Sequence, residues 1–358
     1  MEETTEDFMY LLNATEDTTQ YFLPEESIDP NVFQAVKSMN ILIYSMTFIL
    51  GTLGNGLVIW IAGFKMHKTV NIIWFLNLAI ADFIFNILFP LQITEWVLDG
   101  HWPFGQIMCK VIFTALFLNM SVSTSFLMII SIDRCTSVMC PVWSKNHRTL
   151  KLASSVSFCV WTACLILSSP YLAFFTIDHD EDDGISYCIP AYSSDYHTDQ
   201  FRDQAMFIAR FTFMFFIPFT IILICYSLIT HRLRRNRNLS GSSRPLKVIA
   251  AIVLSFFCLW FPFHFWPFLD HMNIGISDNI NFIVFHVVYA LGFCNSCVNP
   301  LVYAFVGRDF KKSLLKSFPF LLESTFQEKC ENEIQRDQTM SEIQRDQTMI
   351  ETEMETYN

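Results

Sequence analysis

The chain has 358 residues, of which 52% are hydrophobic, 16% aromatic and only 16% charged, and its net charge is -11. Soluble domains carry about 25% charged residues, so this composition excludes a soluble multidomain enzyme as well as a disordered chain. The acidic balance excludes nucleic acid as a partner. A helical membrane protein remains.

A bilayer core about 30 Å thick takes roughly 20 apolar residues per helix. Seven stretches qualify: 39–64, 71–97, 106–136, 152–176, 205–230, 246–270 and 280–306. The predicted fold class is therefore all-α, a seven-transmembrane helix bundle over 39–306. An acidic tail, 1–38, precedes it, and 321–358 follow as a disordered tail. The first 30 residues have no basic start and no apolar run, so they do not read as a signal peptide.

Sixteen of the 23 Lys and Arg fall on one side of the bundle, in the short loops after spans one, three and five and beyond span seven. Positive charge in short loops marks the cytoplasm. The expected placement is a multi-pass plasma-membrane protein with its N-terminus outside and C-terminus inside. Acids sort the other way, into the N-terminal tail and the loop after span four. They serve either solubility or an acidic mouth that attracts a cationic ligand. Of 11 cysteines, only Cys109 and Cys188 fall on the outer side, where two thiols are expected to pair. Asn13-Ala14-Thr15 is a glycosylation sequon on the tail. Glu333–Met340 recurs unchanged at Glu342–Met349, a nine-residue repeat. Ser324, Thr325, Thr339, Ser341 and Thr348 are candidate phosphorylation sites in that region.

Polar residues inside a membrane are costly and mark functional positions. Asp82 lies mid-span; Asn55, Asn119, Ser123, Asn295, Ser296 and Asn299 stand at comparable depths. A carboxylate among neutral oxygens suits a monovalent cation or a proton; a purely structural network is the alternative. Asp133-Arg134 ends span three, where an ion pair would form a releasable latch. Pro218, Pro262 and Pro300 interrupt spans five, six and seven and provide hinges.

Taken in order, these residues resemble the rhodopsin-like G-protein-coupled receptors over about 39–318. Gly54-Asn55, Leu78–Asp82, Trp102-Pro103-Phe104-Gly105 with Cys109, and Asp133-Arg134-Cys135 carry the likeness in the first half. Trp161, Pro218 with Tyr226, Phe256 with Trp260 and Pro262, and Asn299-Pro300-Leu301-Val302-Tyr303 complete it, and Phe310 with the basic residues around it resembles the family's short amphipathic membrane-surface helix, which the resemblance places at 307–320. Local runs such as Phe64–Asn71 and Pro141–Arg148 are similar to the chemoattractant group, which holds chemerin, formyl-peptide and anaphylatoxin receptors.

The resemblance implies a cell-surface receptor, not an enzyme, for an extracellular chemoattractant peptide or small protein. It implies signalling through an inhibitory-class G protein, with arrestin, receptor kinases and membrane lipid as further partners. It assigns Phe256, Trp260, Pro262, Asn299, Pro300, Tyr303 and Tyr226 to the activation switch and Asp133 and Arg134 to G-protein coupling. Asp82, Asn119, Ser123 and Asn295 resemble the family's pocket for an allosteric sodium ion; no other cofactor is expected. Cys135 stands where most members carry Tyr, and Leu259 precedes Trp260 where Cys is usual.

Absences narrow the ligand. Span seven has no Lys, and span three no acid before Asp133, so retinal and small amines do not fit. Arg210, in the outer third of span five, is placed to grip a ligand carboxylate; an internal ion pair is the alternative. Glu95, Trp96, Tyr187 and His264 are candidate ligand contacts. A lipid-mediator receptor of the same group and an atypical scavenging receptor with weak G-protein coupling are the competing readings.

Overall fold

The computed structural model describes residues 28–179, 184–190, 196–235, 244–271 and 276–306. Asn13, residues 307–320, the repeat tail and Ser324, Thr325, Thr339, Ser341 and Thr348 lie outside these residues, and the side chain of Tyr303 is not among those described.

Span one is the helix Pro30–Trp60, continued by a wide turn over Ile61–Lys65. Asp29 caps it, its carboxylate accepting from the backbone N–H of Asn31 at 2.7 Å, and Pro30 opens it with a preset φ. Span two begins at Val70 under a Thr69 cap and runs to Asn86. It resumes at Phe89 and ends at Val97. Pro90 causes the interruption, because its ring excludes the carbonyl four residues back and it has no N–H to give.

Span three, Gly105–Met139, is the central pillar: 67% of its apolar window is buried, against 17% for span four. Span four is Leu150–Ser168 followed by Pro170–Phe174. Span five comprises Tyr196–Arg210, a wide π turn over Phe211–Phe216, and Ile217–Arg235. The π turn directly precedes Pro218 and absorbs the residue whose carbonyl the proline ring displaces. Span six, Arg244–His271, holds Pro262 and Pro267; span seven, Asp278–Val306, holds Pro300. Six of the described helices are long and apolar enough to cross a membrane, and span six contributes the shorter apolar stretch Val253–Pro267. Leu53, Phe158, Ile166 and Leu254 are more than 60% exposed on the outside of the bundle, as a lipid-facing belt requires.

Two boundary expectations change, and the all-α class gains one exception in the loop after span four: β1 (Phe175–His179) and β2 (Ser186–Pro190) pair antiparallel, with Ile177 opposite Cys188. Span four therefore ends at Phe174 and does not reach 176. Spans one and five each start nine residues before the apolar runs, at Pro30 and Tyr196. Hydropathy detects only the membrane-embedded part of a helix, and these opening turns carry polar residues.

Candidate functional site

The hairpin roofs one end of the bundle. Cys109 at the top of span three and Cys188 in β2 form the expected disulfide, with Cα atoms 5.6 Å apart. Gln106, one turn earlier, reinforces it: its Nε2 donates to the Phe175 carbonyl at 3.0 Å and its Oε1 accepts from the Ile177 N–H at 2.9 Å. The Trp102 N–H donates to the Ser186 carbonyl at 2.7 Å, and its indole N–H donates to the Gly105 carbonyl at 3.1 Å. Trp102 is thus the buried pivot between loop and hairpin.

Below that roof, span five aims Arg210 into the bundle. Its guanidinium carbon lies 5.5 Å from the ring centres of Phe117 and Phe207 and 5.1 Å from that of Phe263. Rings on three sides hold the charge by cation–π attraction. No carboxylate lies within ion-pair distance of Arg210 among the described residues, and its Nε has no hydrogen-bond partner. His264, the neighbour of Phe263, is buried, and neither of its ring nitrogens has a hydrogen-bond partner among the described residues. The internal ion pair considered for Arg210 is therefore absent among the described residues. Glu95 and Trp96 do not join Arg210; they line a cavity among spans one, two, three and seven whose lining includes none of the rings around Arg210. Tyr187 lines neither. It is buried under the hairpin beside Gly100.

The middle of the bundle holds the polar network. Asp82 is fully buried. One carboxylate oxygen accepts from Asn119 Nδ2 at 2.9 Å and from the Ser123 hydroxyl at 3.4 Å; the other accepts from Asn299 Nδ2 at 2.8 Å. Asn295 does not reach this shell by hydrogen bonding, and its Nδ2 is buried without a partner. The Asp82 carboxylate has no basic partner among the described residues. In this geometry the carboxylate is satisfied by three neutral donors, two amide NH2 groups and a hydroxyl, and the unpartnered Asn295 atom is likewise an NH2 nitrogen; a small hard cation would take the carboxylate with the side-chain oxygens of Asn119, Ser123 and Asn295, after the amides turn.

Asn86, which sequence reasoning missed, extends the network. Its Nδ2 donates to the Asp82 carbonyl at 2.7 Å and its Oδ1 accepts from the Ser296 hydroxyl at 2.8 Å. Asn55 Nδ2 donates to the carbonyls of Gly51 at 2.9 Å and Ser296 at 2.8 Å. Spans one, two and seven are thereby tied at one level. The available signal was the four-residue step from Asp82 to Asn86, which puts both on one helix face. Trp161 ties span four to span two, its indole N–H donating to Asn77 Oδ1 at 2.9 Å.

Trp260 and Phe256 are both buried, with ring centres 6.2 Å apart. Gly292 on span seven makes room for Trp260: a Cβ there would lie 2.9 Å from the indole. Tyr226 of span five stands beside Ser131 and Arg134 of span three.

At the end opposite the hairpin, Asp133 and Arg134 do pair, at 3.4 Å. The stronger partner of Asp133 is Arg148, whose Nε and Nη2 donate to its two oxygens at 2.7 and 3.0 Å. Arg148 Nη2 also donates to Asn71 Oδ1. The latch is therefore a three-residue cluster with Arg148 as the competitor of Arg134. Sequence gave no means to distinguish Arg148 from other basic loop residues.

Residues 54–303 match the 7 transmembrane receptor (rhodopsin family), and the chain belongs to that family. Within it the chain falls in the chemoattractant group. It is 39% identical over 321 residues to chemerin-like receptor 1 of Mus musculus, covering 86% of each chain. It is 38% identical over 316 residues to chemerin-like receptor 1 of Homo sapiens, covering 85% of this chain and 84% of that one. It is 36% identical over 335 residues to N-formyl peptide receptor 3 of Homo sapiens, covering 90% and 92%. The chain is a multi-pass membrane receptor and not an enzyme.

Proposed function

We propose that this receptor binds a chemoattractant peptide or small protein by its C-terminal carboxylate. The observation that carries the reading is Arg210: a guanidinium caged by Phe117, Phe207 and Phe263, with Nε unpartnered and no carboxylate paired to it among the described residues. A partly buried cation without a counter-ion carries a desolvation cost, and a ligand carboxylate gripped bidentately relieves that cost. The unpartnered His264 nitrogens add a hydrogen-bonding group on the same side. Relatives named for chemerin and for formyl peptides support a peptide.

The hairpin end and the N-terminus face outside, and the Asp133–Arg134 end faces the cytoplasm, as the basic loops favour. Ligand at Arg210 presses on Phe263 and so on Trp260, whose ring centre lies 5.3 Å from that of Phe263. Span six then pivots at Pro262, and Arg134 leaves Asp133 to engage an inhibitory-class G protein. Asp82, Asn119, Ser123 and Asn295 would hold a sodium ion, which supplies counter-charge to the buried carboxylate and favours the resting state. Asn299, already on Asp82, joins the shell. The 321–358 tail, once phosphorylated by receptor kinases, recruits arrestin.

The test is inhibition of cyclic AMP formation in cells bearing the full chain, with four probes: a chemerin C-terminal peptide, the same peptide amidated, a formyl peptide and a long-chain fatty acid. A response to a free-carboxylate peptide that falls at least about tenfold in potency on amidation and in Arg210→Ala is expected, the size of one charge-assisted pair. A response to the fatty acid alone would replace the peptide reading with the lipid one. Arrestin recruitment without a cyclic AMP change would indicate a scavenging receptor.

A further inference from the structure

A second cavity opens at the hairpin end between spans one, two and seven, with Phe113 of span three in its wall, and no residue of spans five or six lines it. Its volume is about 70 Å³, room for a side-chain head group and far short of a peptide. Its wall is a continuous belt of rings. Trp96 meets His286 edge-on at 4.9 Å, and Phe282 meets His286 at 4.3 Å. Phe285 and Tyr289 stand 4.4 Å apart, and Phe33 of span one closes the belt 6.4 Å from Trp96 and 6.1 Å from Phe282.

Two carboxylates line it, Glu95 of span two and Asp99 just beyond the end of that span; among the described residues Glu95 is the one without a basic partner. Its carboxylate accepts a single hydrogen bond, from Gln92 Nε2 at 3.2 Å. No basic side chain lies within ion-pair distance of it among the described residues. Lys37 of span one stands at the rim and is taken up by Asp99: its Nζ donates to Asp99 Oδ1 at 2.6 Å and to the Val97 carbonyl at 3.2 Å. His286 Nδ1 lies 2.8 Å from the Phe282 carbonyl. A carbonyl only accepts, so this nitrogen carries the hydrogen and Nε2 of the neutral ring is an acceptor.

With Lys37 and Asp99 neutralising each other at the rim, the uncompensated charge of the cavity has one sign, that of Glu95. Ring faces carry negative potential and attract cations. A carboxylate with one neutral donor is under-compensated in such surroundings. A metal ion does not fit, because hard cations take six or more oxygens and among the described residues no group of three acids, histidines or cysteines gathers. A guanidinium fits on each count: it is planar, it stacks on rings, it is weakly hydrated, and it pairs bidentately with a carboxylate.

The geometry assigns this cavity as a subsite for one arginine side chain of the ligand, with Glu95 as its counter-ion and Trp96 and the span-seven rings as its cage. This rests on the reading that the ligand is a peptide arriving at the hairpin end. It gives the ligand two poles, a carboxylate on Arg210 and a guanidinium on Glu95. It also separates Glu95 from the diffuse acids of the loops, which attract any cation and select none.

The probe is N-acetyl-arginine methyl ester, which has a guanidinium and no carboxylate and is therefore blind to Arg210. Its neutral isostere, N-acetyl-citrulline methyl ester, is the control. Thermal unfolding of the purified full-length receptor reads binding through stabilisation. The arginine ester is expected to raise the midpoint of wild type and of Arg210→Ala alike, and the citrulline ester to leave both unchanged. In Glu95→Gln, of equal volume, half-saturation should need at least about tenfold more arginine ester, the loss of one charge-assisted pair. Equal stabilisation by both esters, or an unchanged half-saturation in Glu95→Gln, would overturn the assignment. If Glu95→Gln does not reach the membrane, the arginine-versus-citrulline difference on wild type decides alone. Because Arg210→Ala retains this response, failure of the carboxylate anchor and failure of the cation subsite give different results.

Discussion

Gly51→Ala is the most demanding test of the polar network, because the perturbation is one methyl group. A Cβ at Gly51 would lie 2.4 Å from Asn86 Oδ1 and 2.5 Å from its Cγ and Nδ2. The whole amide must leave. Overpacking of this kind costs ~1–3 kcal/mol. Displacing Asn86 also breaks its bonds to the Asp82 carbonyl and the Ser296 hydroxyl, and each buried group left unsatisfied costs ~1–3 kcal/mol. The better helix propensity of Ala offsets ~1 kcal/mol. The net loss is at least ~2 kcal/mol, which corresponds to a fall of at least ~4 °C in the unfolding midpoint. The matched control is Gly63→Ala, where a Cβ meets nothing within 4 Å and no loss is expected. Thermal unfolding of purified receptor measures both. A Gly51→Ala midpoint equal to wild type, or an equal loss in Gly63→Ala, would refute the claim that Asn86 ties these spans together.

Removing Arg148 hands Asp133 entirely to Arg134, so Arg148→Ala is expected to lower basal nucleotide exchange on the G protein by about fivefold, the ~1 kcal/mol of a part-exposed pair. The effect should vanish in an Asp133→Asn background, as a double-mutant cycle requires; a rise in basal exchange would contradict the competition. Replacing sodium by choline at an ionic strength of about 0.15 M should lower the unfolding midpoint of wild type and leave Asp82→Asn unmoved. Equal responses in the two proteins would remove the ion from the Asp82 pocket.

The legible part of this protein was what a bilayer and a redox boundary impose locally. Apolar runs of sufficient length fix the helices, because unpaired backbone cannot stand in lipid. The sole outward-facing cysteine pair forecast the bond that pins the hairpin. Asp82 announced itself, since a carboxylate in a membrane helix has to be satisfied from inside the bundle. The ends of the helices were not legible: the polar turns opening at Pro30 and Tyr196 and the break before Pro90 obey capping and proline sterics, which hydropathy does not register.

Contacts between spans were beyond the sequence altogether. That Arg148 outcompetes Arg134 for Asp133, that Asn86 needs the space at Gly51, and that Arg210 sits among three rings while Glu95 faces a different cavity are facts about side chains brought together from distant positions. The sequence by itself determined which residues had to face inward, because burial in lipid sets the cost of each polar group singly. Only the tertiary structure decided which of them meet, because hydrogen bonds and ion pairs are short-ranged and their partners are chosen by helix rotation and packing.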